Sequence, residues 1–526
     1  MRGVRFHNGR IYTLDQADTV AQALACWQGR IVALGTDAEV RSRFPEFPEV
    51  DLGGLAVLPA FTDAHLHLVA LGLCRRQVDL EGTRSLPEAL LRVAEAVRRT
   101  TPGTWILGRG WEPNRWPEGE APSREDLDAV SPENPVVVWS RDGHLVWCNS
   151  QALARSGVGP GTPDPPGGVI ERVGGRPTGV LREAATALVA RAVPPPPESE
   201  VESAILEAVR HLHRYGITGV HHMPGPAEDR LGLGVLQRMH QTGSLRLRVV
   251  AAIPAQRLEE ARRLGLRSGL GDEWLRVGFV KIFADGTLGS QTAAMLEPYE
   301  GQRGVGIAAY EREELVELVT RAAGAGWACA VHAIGDRANR WTLEAFEAAQ
   351  EASRRHGLRH RVEHAQLVHP ADLPRFGQLR LVASMQPMHC ASDEAIARRY
   401  WGARSECAYA WRSLLQSGAV LAFGSDAPVV APDVLRGMYV AVFRRHPEDG
   451  RELPGSGEAL SIREALRAYT LGPAYAAGEE HLKGSLEVGK VADFVAVDQD
   501  VLRKPETLRE ARVRMTVLGG EVVFSG

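Results

Sequence analysis

The chain is poor in lysine: among its 526 residues only Lys281, Lys483, Lys490 and Lys504 occur, so 57 of its 61 basic side chains are arginine. An excess of either charge is also lacking, because 65 acidic residues leave a formal net charge of −4. That balance excludes a nucleic-acid or anionic-membrane partner held by bulk charge. No window approaches the ~18 consecutive apolar residues of a membrane span, and the opening MRGVRFHNGRIYTLD has no apolar segment of the secretory kind. The six cysteines form no CxxC pair, which fits reduced thiols better than a disulfide framework. The expectation is a soluble cytoplasmic protein that binds neither nucleic acid nor membrane.

What is present is an ordinary globular composition, 44% hydrophobic and 24% charged, long enough for a large core. Alternating short strands fill the first ~55 residues, and the same texture returns in GSLEVGKVADFVAVD and RVRMTVLGGEVVFSG. Isolated hairpins are only marginally stable, so residues 1–55 and 480–526 are expected to combine into one small β-sandwich domain.

Between these ends, apolar runs alternate with amphipathic stretches such as EREELVELVTRAAGAG, the pattern of parallel strands with crossover helices. Eight runs, at 55–58, 217–221, 245–253, 277–283, 327–334, 360–365, 381–386 and 420–425, predict an α/β fold: a (β/α)8 TIM barrel over 56–69 and 198–479. The interval after the first strand is far too long for one crossover, so residues 70–197 read as an inserted domain.

Active sites of this fold lie at the C-terminal ends of the strands. The first run leads into PAFTDAHLHL, where side chains alternate and His65 and His67 share a face, able to reach one metal ion. His332, His364 and Asp426 each close a later apolar run. Nitrogen and carboxylate ligands without cysteine suit Zn²⁺, Mn²⁺, Fe²⁺ or Ni²⁺. A second HxH, His211 and His213, lies in a helical stretch where two residues are ~200° apart, and is expected at the surface. His221 and His222 end the second strand on opposite faces, which suits hydrogen bonding better than ligation.

Lys281 stands alone among the first 482 residues. If its face of the strand, shared with Val277, Phe279 and Phe283, points into the barrel, desolvation favours the neutral amine. A neutral lysine adds CO₂ to give an anionic carbamate able to bridge two cations, which arginine does not. The plainer alternative is an amine that reaches solvent or pairs with Asp285.

Together these residues resemble the amidohydrolase superfamily, and more closely its amidohydrolase family 3, the group of YtcJ-like proteins and N-substituted formamide deformylases. The resemblance covers nearly the whole chain: NGRIYTLD, GRIVALG, LPAFTDAHLHL, RDGHLVWCNSQAL, PTGVLRE, VKIFADGTLGSQTA, VHAIGDRA, RVEHAQL, SMQP, FGSDAPV and GSLEVGKVADFVAVD. It implies a distorted barrel of the metal-dependent hydrolase type and two divalent ions, zinc being the first expectation. His65, His67 and Asp426 would hold one ion and His332 and His364 the other, bridged by carboxylated Lys281 and a hydroxide. Asp426 would also move the proton from the attacking hydroxide to the departing amine.

His144, Trp111 and Trp116 lie in segments resembling the part of the family that covers the barrel mouth, and Asp285, Gln291, Gln386 and His389 follow barrel strands; all seven are candidate substrate contacts. The activity so implied is hydrolysis of a non-peptide C–N bond, an amide or N-substituted formamide, in a small-molecule substrate, by a protein that the superfamily suggests is a homodimer. Two other readings stand beside it. One is a mononuclear aminohydrolase of the cytosine deaminase kind, which needs no bridging lysine; the other is a non-catalytic interaction protein, whose mark would be missing metal residues.

Overall fold

The computed structural model describes residues 3–112, 116, 122–140, 145–225 and 232–526. Its chain divides into two compact units, Met1–Ala70 with Ala208–Gly526, and Leu71–Glu207. None of the described helices is long and apolar enough to cross a membrane.

The first unit contains a nearly closed barrel of eight parallel strands: β1 Phe61–Leu66, β2 Ile217–His222, β3 Arg248–Pro254, β4 Leu275–Phe283, β5 Ala328–Ala333, β6 Arg361–His364, β7 Val382–Met385 and β8 Val420–Phe423. Each strand pairs with the next in chain order from β1 to β8. The ends meet just past the strands, where Asp426 N–H donates to His65 O (2.6 Å) and His67 N–H to Ala427 O (2.8 Å). Gly424 makes that approach possible: a Cβ there would lie 2.5 Å from His65 N and 2.6 Å from Asp63 Oδ1.

Crossover helices form where apolar residues recur at helical spacing. The helix Arg312–Gly324 buries Leu315, Leu318, Val319, Ala322 and Ala323, and Asp336–Ala348 buries Ala338, Thr342, Leu343, Ala345 and Phe346. These i, i+3, i+4 stripes are what a helix lying on a sheet must present.

The run at 55–58 is not a barrel strand. Ala56–Pro59 pairs instead with Arg10–Tyr12 and with Phe494–Val497. The barrel starts after a one-residue break, at Phe61, because Val57 and Leu58 are needed in the sheet that joins the chain's two ends. That sheet, of strands Arg10–Tyr12, Val20–Ala21, Ala56–Pro59, Phe494–Val497, Val513–Leu518 and Glu521–Ser525, shares one apolar core with a second sheet of Val4–His7, Ala23–Trp27, Arg30–Gly35 and Glu49–Asp51. Phe6 meets Phe494 edge to face, ring centroids 4.8 Å apart. Arg248, which opens β3, makes a buried paired contact with Asp493 (Nε 2.7 Å, Nη2 3.1 Å).

His213, expected at the surface, is buried. Its helix, Glu198–His213, ends against the strand Val513–Leu518, where Thr516 Oγ1 donates to the His213 carbonyl at 2.7 Å. Helical geometry does separate it from His211, which remains partly exposed.

The second unit is built on a mixed sheet in the order Gly168–Val173, Arg176–Glu183, Leu145–Cys148, Val136–Ser140, Ile106–Trp111 and Val78–Asp79. One of its cores gathers Leu80, Val93, Val136, Val138, Trp111, Trp116 and Trp147.

Candidate metal centre and active site

The C-terminal ends of β1, β4, β5, β6 and β8 bring His65, His67, Lys281, His332, His364 and Asp426 into one neighbourhood. Ring centroids lie 5.7 Å apart for His65 and His67, 4.9 Å for His65 and His364, and 4.5 Å for His332 and His364. His65, His67 and Asp426 each offer a ligand atom within 4.8 Å of the others, and so do His364, His389 and Asp426.

Two of these residues reach the centre through unusual backbone. His364 has φ 72° and Asp426 φ 61°, the left-handed region that non-glycine residues rarely adopt and that clusters at functional sites. Strict alternation along β6 would send His364 away from the face of Glu363. The left-handed turn brings its ring back beside His65.

Hydrogen bonds to the second ring nitrogen sort the histidines. His65 Nδ1 lies 2.6 Å from Glu363 Oε2, and His364 Nδ1 lies 2.8 Å from Gln386 Oε1. An acceptor at Nδ1 places the proton there and leaves Nε2 as a bare lone pair. His332 is the mirror case: Nε2 donates to Gly286 O at 3.0 Å, which leaves Nδ1 bare. His221 and His222 are the opposite kind, since donors occupy Nδ1: Arg361 Nη1 at 2.6 Å and Leu68 N–H at 3.2 Å. Both are hydrogen-bonding residues.

These imidazoles are neutral. Burial, with the Lys281 amine adding to it, brings His65 down to about 4; burial and Lys281 bring His332 to about 3; burial and His332 hold His364 well below the ordinary value.

The arrangement has a gap that a cation fits. Asp426 Oδ1 faces His67 Nε2 at 3.0 Å and His65 Nε2 at 3.5 Å, yet among the described residues no donor meets it in hydrogen-bonding geometry. For His65, whose proton sits on Nδ1, a lone pair therefore faces a carboxylate oxygen with no donor between them. Buried acceptors in that relation repel unless a positive ion lies among them.

Lys281 points into the same interior. Its strand neighbour Phe279 carries the Arg361 guanidinium over its ring at 4.9 Å, and Lys281, 2% exposed, holds its Nζ 4.7 Å above Phe283 with no hydrogen-bond partner among the described residues. The amine neither reaches solvent nor pairs with Asp285. Burial lowers it to about 8, against the opposing pull of Glu363 and Asp426.

Asp285 has its oxygens engaged by backbone amides: Ile334 N–H at 3.0 Å to Oδ1, and Gly335 and Ala294 N–H at 2.9 Å to Oδ2. It ties the loop after β5 to the segment after β4. Gln291 accepts from Gln302 Nε2 through its side-chain oxygen. Gln386 sets the His364 tautomer. Trp111 and Trp116 are committed to the core of the second unit, with centroids 6.1 Å apart and Trp111 Nε1 donating to Val138 O at 3.0 Å. His144 lies outside the described residues.

Sequence reasoning passed over the residues that hold the ligands. Arg361 and Glu363 form a fully buried pair, and the same guanidinium donates to Ala64 O (2.6 Å) and Ser384 Oγ (2.5 Å). Asp63 receives Ser425 N–H and Oγ (3.0 and 2.5 Å) and His65 N–H (3.1 Å), which pins the turn carrying Asp426 to β1. The signal was available: Asp63 repeats the spacing of His65 and His67, and two charges two residues apart in an apolar barrel strand need each other.

A barrel of this form, with imidazoles and a carboxylate gathered at its strand ends, is a distorted TIM barrel of the metal-dependent hydrolase type. The chain belongs to the amidohydrolase family, whose model it matches over residues 48–524. It is 35% identical to Protein LONG AFTER FAR-RED 3 of Arabidopsis thaliana, over 98% of this chain and 91% of that one. It is 30% identical to N-substituted formamide deformylase of Arthrobacter pascens, over 99% of this chain and 98% of that one. The crystal structure of an uncharacterized metal-dependent hydrolase from Pyrococcus furiosus matches with a TM-score of 0.79 at 30% identity, covering 95% of this chain and all of that one. Family and neighbours support a hydrolase that uses a divalent metal.

Proposed function

We propose that the protein hydrolyses a non-peptide C–N bond, an amide or N-substituted formamide, in a small molecule. The observation that carries the reading is the bare Nε2 of His65 facing the unsatisfied Asp426 Oδ1. His65, His67 and Asp426 would hold one divalent ion, zinc by preference for this donor set, and His332 and His364 a second. Lys281, carboxylated by CO₂, would join the two. When bound, the ions supply Lewis acidity toward the scissile carbonyl and lower the pKa of water.

The chain's own residues supply the rest. Glu363 and Gln386 keep the protons of His65 and His364 on Nδ1. Asp426 accepts the proton from the attacking water at a carboxylate oxygen and delivers it to the nitrogen of the departing amine, which leaves poorly as an anion. The relative named as an N-substituted formamide deformylase supports the choice of bond.

The test is a hydrolysis screen over N-substituted formamides, cyclic amides and N-acyl amines. Amine release by the zinc-loaded protein, lost on chelation and lost in Asp426→Asn, is expected. Turnover that survives chelation would contradict the proposal.

A further inference from the structure

His389 has a geometry that sets it apart from the ligands. It lies on the short helix Pro387–Ser392 that follows β7, 5% exposed, with its ring parallel to that of His364 at a centroid distance of 6.2 Å. Its Nδ1 faces Gln366 Nε2 at 3.4 Å. The orientation of that amide is fixed from its other side, since the same Nε2 faces Asp393 Oδ2 at 3.4 Å, an oxygen that also accepts from Tyr409 Oη at 3.1 Å. A carboxylate takes only donors, so the amide presents N–H to both neighbours, and His389 Nδ1 is an acceptor. The ring proton is therefore on Nε2.

Among the described residues that Nε2–H has no partner, although it is buried. It stops 3.8 Å from Asp426 Oδ2, beyond hydrogen-bond reach. The Asp426 carboxylate is thus divided: Oδ1 turns to Nε2 of His65 and of His67, while Oδ2 faces an unused donor. A lone-pair nitrogen would be wanted in a ligand; here the structure offers a proton.

We infer that His389 is a catalytic residue: it donates from Nε2 to the carbonyl oxygen of the scissile amide, beside the Asp426 oxygen that takes the proton. The inference rests on the hydrolase reading and deepens it. An amide nitrogen has its lone pair in resonance and accepts poorly, so the acceptor such a donor finds in this substrate class is the carbonyl oxygen. The bond strengthens as negative charge grows there during attack, which makes it a transition-state interaction.

The experiment uses zinc-loaded protein, with methylphosphonate as a tetrahedral probe of the oxygen position. Ring ¹⁵N shifts of the wild type should show His389 protonated at Nε2. His389→Ala should keep the wild-type zinc content and bind methylphosphonate about tenfold to a hundredfold more weakly. With an amide substrate from the screen, kcat should fall about a hundredfold with KM little changed. Zinc loss in His389→Ala, a metal-shifted Nε2, or unchanged phosphonate affinity would each overturn the inference and leave the hydrolase reading standing. A wild type that takes up no zinc would overturn both.

Discussion

His65 donates from Nδ1 to Glu363 across 2.6 Å, with both side chains out of solvent contact. Glu363 in turn is held by Arg361, which also reaches β1 through Ala64 O and β7 through Ser384 Oγ. One buried ion pair therefore orients an imidazole at the site and ties three strands together around it. Burial alone would raise the Glu363 carboxyl; Arg361 and His65 hold it well below its ordinary value.

Glu363→Gln retains the shape and an amide oxygen for His65 while removing the charge. It should weaken zinc binding about tenfold to a hundredfold, the usual effect of losing the carboxylate behind a metal-ligating histidine. Competition with a chromophoric chelator measures this, and unchanged affinity would mean that His65 is not a ligand or does not depend on Glu363.

Gly424 tests how the barrel ends meet. A methyl group there would overlap His65 N and Asp63 Oδ1, and neither can yield without moving β1 or the turn to Asp426. Gly424→Ala should cost about 1–3 kcal/mol or more of stability, read as a lowered urea midpoint, and should reduce zinc content as His65 and Asp426 part. A variant as stable and as metal-rich as the wild type would refute the close approach.

How much of this was legible in the sequence depended on whether a residue's position followed from local pattern. His65 and His67 did, because alternation puts them on one face, and the helical stripe of Leu315, Leu318, Val319 and Ala322 appeared where its periodicity predicted a helix. The start of β1 did not: Val57 and Leu58 are as apolar as any barrel strand, and only the partner at Phe494–Val497, more than 430 residues away, claims them for the other sheet. His364 was found for an incomplete reason. It ends an apolar run, but its direction comes from a left-handed φ that no local pattern announces. The spacing of Arg361 and Glu363 announced that they pair; that the pair serves His65 and His221 follows from the interior they share, which no local pattern gives.

Away from the site, His360 makes stability depend on pH. Its Nδ1 accepts Cys329 N–H at 3.0 Å, its Nε2 lies 2.7 Å from Ser353 Oγ, and burial lowers its pKa to about 4 from an ordinary 6.5. Between those values the unfolded chain binds the proton and the folded one does not, so stability rises with pH across the window. The contribution is complete above ~6.5 and is lost as pH falls toward 4, by up to about 3 kcal/mol. Urea unfolding of wild type and His360→Gln at pH 7 and pH 4.5 should show a smaller acid loss in the variant; equal losses would contradict the assignment.

The central claim is that Lys281, the one lysine in the first 482 residues, is buried without a hydrogen-bond partner among the described residues because it becomes the bridge between two ions. Zinc per chain in the wild type and in Lys281→Ala, each reconstituted in bicarbonate buffer, tests it directly. The account predicts two equivalents in the wild type and one or none in the variant, with amide hydrolysis partly restored by added formate or acetate. A single equivalent in the wild type, unchanged by the substitution, would contradict it.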